Sequence, residues 1–189
     1  MITSDVALAA TVLDGGQVLG VATDTVFGIA ARLDRPAAIA QLFSAKQRPA
    51  TVALPVLVDS IATAKALVGR LDPVAQHLME QHWPGALTVV VQCSHEIAVK
   101  VGGHHSIGLR MPSDARLLLL LTKTGPLATT SCNLHGEPPV CTPAEAERVV
   151  GDRGIVLDGL PQGGRSSTVV SVHDGVVSVL REGPVVISG

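Results

Sequence analysis

Aromatic rings are almost missing from this chain: one tryptophan, two phenylalanines and no tyrosine, 2% of 189 residues. Its 47% hydrophobic content therefore comes from alanine, valine, leucine and isoleucine, and the core has to be aliphatic. Cysteine is scarce too. Cys93, Cys132 and Cys141 form no CxxC pair and cannot all pair with one another, which excludes a structural zinc site and fits a reducing, cytoplasmic setting. The densest apolar run, Leu117 to Leu121, falls far short of the roughly 20 residues that span a bilayer, so no membrane association is expected. The opening MITSDVALAA has no positive charge ahead of its apolar residues, and a secretory signal peptide is not expected. Basic charge is not in excess. A formal net charge of −2 excludes a broad nucleic-acid-coating surface and leaves room for a local basic cleft. Neither a Walker-type loop nor a GxGxxG after a strand occurs, so the common nucleotide loops are absent. No carboxylate pair and no His/Cys ligand cluster stand out, which argues against acid–base hydrolysis and predicts no protein-held metal.

What is present is frequent punctuation, with 19 glycines and 12 prolines marking many short elements. Ser4 or Asp5 caps a first helix that Gly15-Gly16 ends. QVLGVA reads as a buried strand, followed by the turn Thr23-Asp24-Thr25. In RPAAIAQLFSAK, Ile39, Leu42 and Phe43 take the spacing of an amphipathic helix, which stops before Pro49. LPVLV, ALTVVVQ, SIGLRMP and GPLATT read as strands. Asp72-Pro73 opens one helix, and Ser113 or Asp114 caps the leucine-rich one. Thr142-Pro143 opens another, with Glu145 in a capping-box position. GIVLDG, STVVSVHDG and VVSVLREG are strands, with His173-Asp174-Gly175 a hairpin turn. The expectation is α/β: one domain over residues 1–189, a twisted mixed sheet with helices packed on it.

The polar residues sit at element ends, where an open α/β sheet binds ligands. Thr23 to Thr25, Lys46, Arg48, Ser106, Arg110, Thr129 to Asn133, Ser166 to Thr168 and Arg181 combine cations with hydroxyls, a set suited to phosphate and carboxylate. Each also has a plainer reading: Lys46 and Arg48 on a helix dipole, Arg110 closing a strand, Ser131 and Asn133 as turn-formers, Thr25 and Ser167 as capping residues. Cys132 in LATTSCNLHG reads as a small packed side chain, because His135 is a neighbour in sequence only and a thiol needs a base within reach. His104-His105 and the pair His77 and His82 lack metal spacing.

The ordered segments ATDTVFGIAA, FSAKQRP, WPGALTVVV, IGLRMP, GPLATTSCNLHGEPP, LDGLPQGGRSSTVV and VLREG resemble the YrdC-type threonylcarbamoyl-AMP synthases, from about residue 5 to residue 184. The resemblance implies a YrdC-like fold with an open cationic cleft, in the short form without an extra C-terminal domain. It implies synthesis of threonylcarbamoyl-AMP and pyrophosphate from L-threonine, bicarbonate and ATP, with Mg2+ carried by the nucleotide. The product would feed a tRNA-modifying transferase complex that acts beside the anticodon, with direct tRNA contact possible. By position, Lys46 and Arg48 would be catalytic and face the ATP phosphates. Ser106, Ser131, Asn133 and Arg181 would also touch ATP. Thr25, Arg110, Thr129 (through its backbone) and Ser167 would hold threonine. Ala22, Phe27, Leu57 and Pro139 depart from the family pattern; Leu57 stands where many members have a threonine-contacting histidine. The alternative implied by the same fold is an RNA-binding module without synthase activity.

Overall fold

The computed structural model describes residues 1–45, 53–133 and 137–187. The strands are β1 (Ile2–Thr3), β2 (Val18–Val21), β3 (Gly28–Arg32), β4 (Val56–Leu57), β5 (Leu87–Gln92), β6 (Ser106–Arg110), β7 (Leu127–Ser131), β8 (Gly154–Leu157), β9 (Thr168–His173) and β10 (Val176–Arg181). Among the described residues they make one twisted sheet in the order β1-β8-β2-β3-β7-β4-β6-β5-β9-β10. Parallel pairs (β1–β8, β8–β2, β4–β6, β5–β9) occur beside antiparallel ones, so the sheet is mixed as expected. The helices are α1 (Val6–Asp14), α2 (Pro36–Ala45), α3 (Ile61–Val68), α4 (Pro73–His82), α5 (His95–Lys100), α6 (Ala115–Thr124) and α7 (Pro143–Val150).

Local chemistry sets the helix starts. Asp5, not Ser4, caps α1 by accepting from the Ala7 and Leu8 amides, and Asp114, not Ser113, accepts from the Leu117 amide at 2.9 Å. Thr142 and Glu145 close the expected capping box on α7. Asp174 and Gly175 have φ of +50° and +76°, the positive pair that a tight two-residue hairpin between β9 and β10 requires.

Four elements carry no clear sequence signal. Strand β3 reads Gly-Ile-Ala-Ala-Arg, mostly residues with little strand preference, and exists because β2 and β7 pair with both of its edges. β1 is two residues long, while α3 and α5 are short helices started by Ser60 and Ser94.

The sheet is covered unequally. Ile29, Val56, Val89, Ile107, Leu109 and Val170 point to one face, where they pack with residues of α2 and α4 such as Leu42 and Met79. On the other face, α1 and α6 put Leu13, Leu117, Leu120 and Leu121 against Leu19, Val21 and Leu127 of β2 and β7. Each such side chain contributes about 1.5–3 kcal/mol when fully buried. Leu57 of β4 sits at the edge of that cluster, and alternate residues of β5, β6 and β9 on the same second face line a cavity instead of meeting a helix.

Candidate active site

The cavity measures about 380 Å³. Its floor is the pleat of the central strands: Leu57, Thr88, Val90, Ser106, Gly108 and Arg110 all line it. The turn after β2, the end of β7 and the approach to β9 supply its walls through Thr25, Ser131 and Ser167, and β10 adds Leu180 and Arg181.

Arg110 is the buried end of the site. Only 6% of it is exposed. Its Nε donates to the Gly85 carbonyl at 3.0 Å, Nη1 to Thr25 Oγ1 at 2.8 Å and Nη2 to Asp24 Oδ1 at 2.6 Å. An arginine carries five N–H donors, so one remains on each Nη for a ligand. Burial pulls the guanidinium pKa down and the Asp24 carboxylate pulls it partly back; starting from so high a value, the group stays charged.

The Thr23–Thr25 turn is closed by its own hydroxyl and amide groups. Thr23 Oγ1 accepts from the Thr25 and Val26 amides and lies 2.7 Å from the Val26 carbonyl, which accepts its proton. The two hydroxyls lie 2.8 Å apart, within hydrogen-bond distance of each other. Thr25 Oγ1 also accepts from Arg110 Nη1 and lines the cavity, so its hydroxyl stands beside the guanidinium at the ligand side.

A second polar group stands across the cavity. Arg181 grips Ser167, with Nε and Nη2 on its carbonyl at 3.1 and 2.8 Å and Nη2 on its Oγ at 3.1 Å. Ser167 Oγ is 2.9 Å from Thr88 Oγ1. Thr88 escaped the sequence reading because a threonine inside a β-branched run carries no signal beyond strand preference.

The structure brings Thr25, Ser106, Arg110, Thr129, Ser131, Ser167 and Arg181 onto this one cavity. Thr129 presents its side chain there, while its backbone N–H is taken by the Pro55 carbonyl at 2.9 Å. Asn133 is buried and does not line the cavity, with Nδ2 donating to the Glu137 carbonyl at 2.5 Å. Lys46, Arg48 and His135 lie outside the described residues. Cys132 is fully buried in the aliphatic core, its Sγ 4.0 Å from the Ala146 carbonyl, so the thiol is packing and does not face the cavity.

Among the described residues no helix is long and apolar enough to cross a membrane, and no cluster of three His, Cys, Asp or Glu side chains could hold a metal.

Known proteins place this arrangement. The Sua5/YciO/YrdC family profile, described as "Telomere recombination", matches residues 11–183. A Mycobacterium leprae relative is 36% identical over 183 residues, which are 95% of this chain and 83% of that one. The threonylcarbamoyl-AMP synthase of Bacillus subtilis is 35% identical over 187 residues, but this chain spans only 53% of its length. The crystal structure of Pyrococcus abyssi Sua5 complexed with L-threonine superposes with a TM-score of 0.86 at 28% identity, covering 94% of this chain and 54% of that one. This chain belongs to the Sua5/YciO/YrdC family.

Proposed function

We propose that the chain is an ATP-dependent L-threonylcarbamoyl-AMP synthase. The observation that carries this is the buried head of the cavity, where Arg110 offers two N–H donors and Thr25 a hydroxyl side by side. That set matches the carboxylate and amine of an α-amino acid. Relatives named threonylcarbamoyl-AMP synthase and the threonine complex of the Pyrococcus protein support the same reading and do not favour an RNA-binding module without turnover.

The chemistry follows from two anions held together. The free amine of threonine takes up CO2 from bicarbonate, releasing water and giving a carbamate. A carbamate oxygen then attacks the α-phosphorus of ATP, the bond from that phosphorus to the α,β-bridging oxygen breaks, and pyrophosphate leaves. Such a displacement needs alignment and charge neutralisation more than proton transfer. Arg110 and Thr25 fix threonine by its backbone ends, with Thr129 and Ser167 beside them. Arg181, Ser106, Ser131 and Asn133 serve the nucleotide, and Lys46 and Arg48 its phosphates. Among the described residues the cavity wall has no carboxylate for a cation, so Mg2+ would be held by the triphosphate and water. We place the enzyme in the cytoplasm as a single domain, passing its product to a tRNA-modifying transferase complex.

The test is mass spectrometry of the purified chain after incubation with threonine, bicarbonate and ATP. Threonylcarbamoyl-AMP should form only when all three are present. RNA binding that weakens steeply with salt, with no adenylate formed, would leave the module reading instead.

A further inference from the structure

We propose that Asp24 is a positioning residue: its carboxylate holds the Arg110 guanidinium in the orientation that receives the substrate carboxylate. This rests on the assignment of Arg110 to the amino-acid end of the cavity. Asp24 does not line the cavity, whereas Arg110 does, so the order from inside the protein outward is carboxylate, guanidinium, ligand. Asp24 can therefore act on a ligand only through Arg110.

Arginine has a long side chain with many rotamers, and a guanidinium that rotates aims its fork at nothing. Here the plane is set by three acceptors from separate places in the chain: Asp24, Thr25 and the Gly85 carbonyl, which lie 86, 85 and 25 residues from Arg110. Gly85 and Thr25 are neutral, and Asp24 supplies the short charge-assisted bond at 2.6 Å. Both partners are nearly enclosed, with 8% and 7% of their side chains exposed.

The anchor is itself held. The Gln162 amide donates to the Thr23 carbonyl at 3.3 Å and the Gly164 amide to the Thr25 carbonyl at 2.8 Å. Between them Gly163 lies so close that an added Cβ would sit 2.6 Å from the Asp24 carbonyl oxygen. The loop before β9 thus backs the turn that backs Arg110.

Asp24 also has a cost for binding. Its negative charge offsets the attraction that Arg110 exerts on a ligand carboxylate. Orientation and dilution therefore predict opposite signs when the charge is removed, which makes the role testable. Asp24→Asn keeps an acceptor oxygen and removes the charge; Asp24→Ala removes both.

Steady-state pyrophosphate release is measured with threonine and ATP varied separately, alongside Tm. Binding of L-threonine and of L-threoninol, which lacks the carboxylate, is measured by titration calorimetry. Asp24→Asn should raise the threonine KM about tenfold, the loss of one charge-assisted hydrogen bond, and leave the ATP KM within about twofold. It should also abolish the preference for threonine over threoninol. In Asp24→Ala, added formate should restore part of the threonine affinity. A threonine KM that falls in Asp24→Asn, or threonine and ATP constants that rise together with a fall in Tm, overturns the proposal. Should Asp24→Ala not fold, Asp24→Asn alone decides. If the wild type shows no three-substrate turnover, the synthase reading fails, and the threonine/threoninol comparison still decides the role of Asp24. A wild type that binds neither compound overturns both.

Discussion

Replacing Gly183 by alanine tests whether the Arg181–Ser167–Thr88 group depends on backbone closeness. A Cβ at position 183 would lie 2.3 Å from the Thr168 nitrogen and 2.6 Å from both the Ser166 oxygen and the Ser167 carbonyl carbon. All three are backbone atoms, so no side chain can swing away and the strand itself must retreat. Two sets of bonds sit on that strand. The Thr168 amide donates to the Ala86 carbonyl at 2.9 Å, tying β9 to the start of β5, and Thr168 Oγ1 pairs with the Val185 carbonyl at 2.7 Å. Overpacking of this kind costs about 1–3 kcal/mol. Weakening two hydrogen bonds adds about 1 kcal/mol each. The expected fall in Tm is roughly 6–20 °C for a chain of this size. Because Arg181, assigned to the nucleotide, is held by Ser167 and moves with it, the nucleotide KM should rise as well. Gly69→Ala is the control: Gly69 has φ +82° and nothing within 4 Å, so it carries backbone strain without a clash. That strain is worth about 1–3 kcal/mol, and Gly69 does not line the cavity. Calorimetric Tm and the ATP KM of both variants are the assay. A Gly183→Ala protein no less stable than Gly69→Ala, with wild-type ATP KM, would refute the reasoning.

Arg110→Lys keeps the charge and loses the fork, and should raise the threonine KM at least about tenfold in steady-state kinetics while the ATP KM holds. Cys132→Ala should leave turnover within about twofold and lower stability by about 1–2 kcal/mol in denaturant titration, since the thiol is core packing; complete loss of turnover would revive a nucleophilic role. The single tryptophan donates Nε1 to the Leu87 carbonyl at 2.8 Å, so Trp83→Phe should cost about 1–3 kcal/mol by urea unfolding, through the carbonyl left unpaired. The Cys141 amide, followed by the Thr142 hydroxyl and amide, holds the Glu145 carboxyl below its ordinary pKa of 4.5. The capping box is therefore complete above that value and opens as pH falls through the lowered one. Amide exchange at Cys141 and Thr142 should accelerate in that acid range, and Glu145→Gln should remove the pH dependence.

What the sequence determined by itself is what a few neighbouring residues decide. Asp72-Pro73 and the Thr142–Glu145 box fix helix starts because cap and amide are two or three residues apart. Asp174-Gly175 turns the β9–β10 hairpin because its positive φ angles need those residue types. The alternation in Ser-Ile-Gly-Leu-Arg already separates a core face from a polar face. The site residues were legible as cations and hydroxyls at element ends, and their family order gave them roles. Tertiary structure alone decided the rest. β3 is a strand of glycine and alanine because its neighbours supply the hydrogen bonds its side chains do not favour. The cavity exists because α1 and α6 reach no further than β4 and stop short of β6, β5 and β9, a matter of packing that no single segment encodes. Thr88 joins Ser167 across 79 residues and Asp24 joins Arg110 across 86. Those pairs depend on sheet order and register. Local propensity reads only a few residues along the chain, so it places each side chain on its element and leaves its partner to the fold.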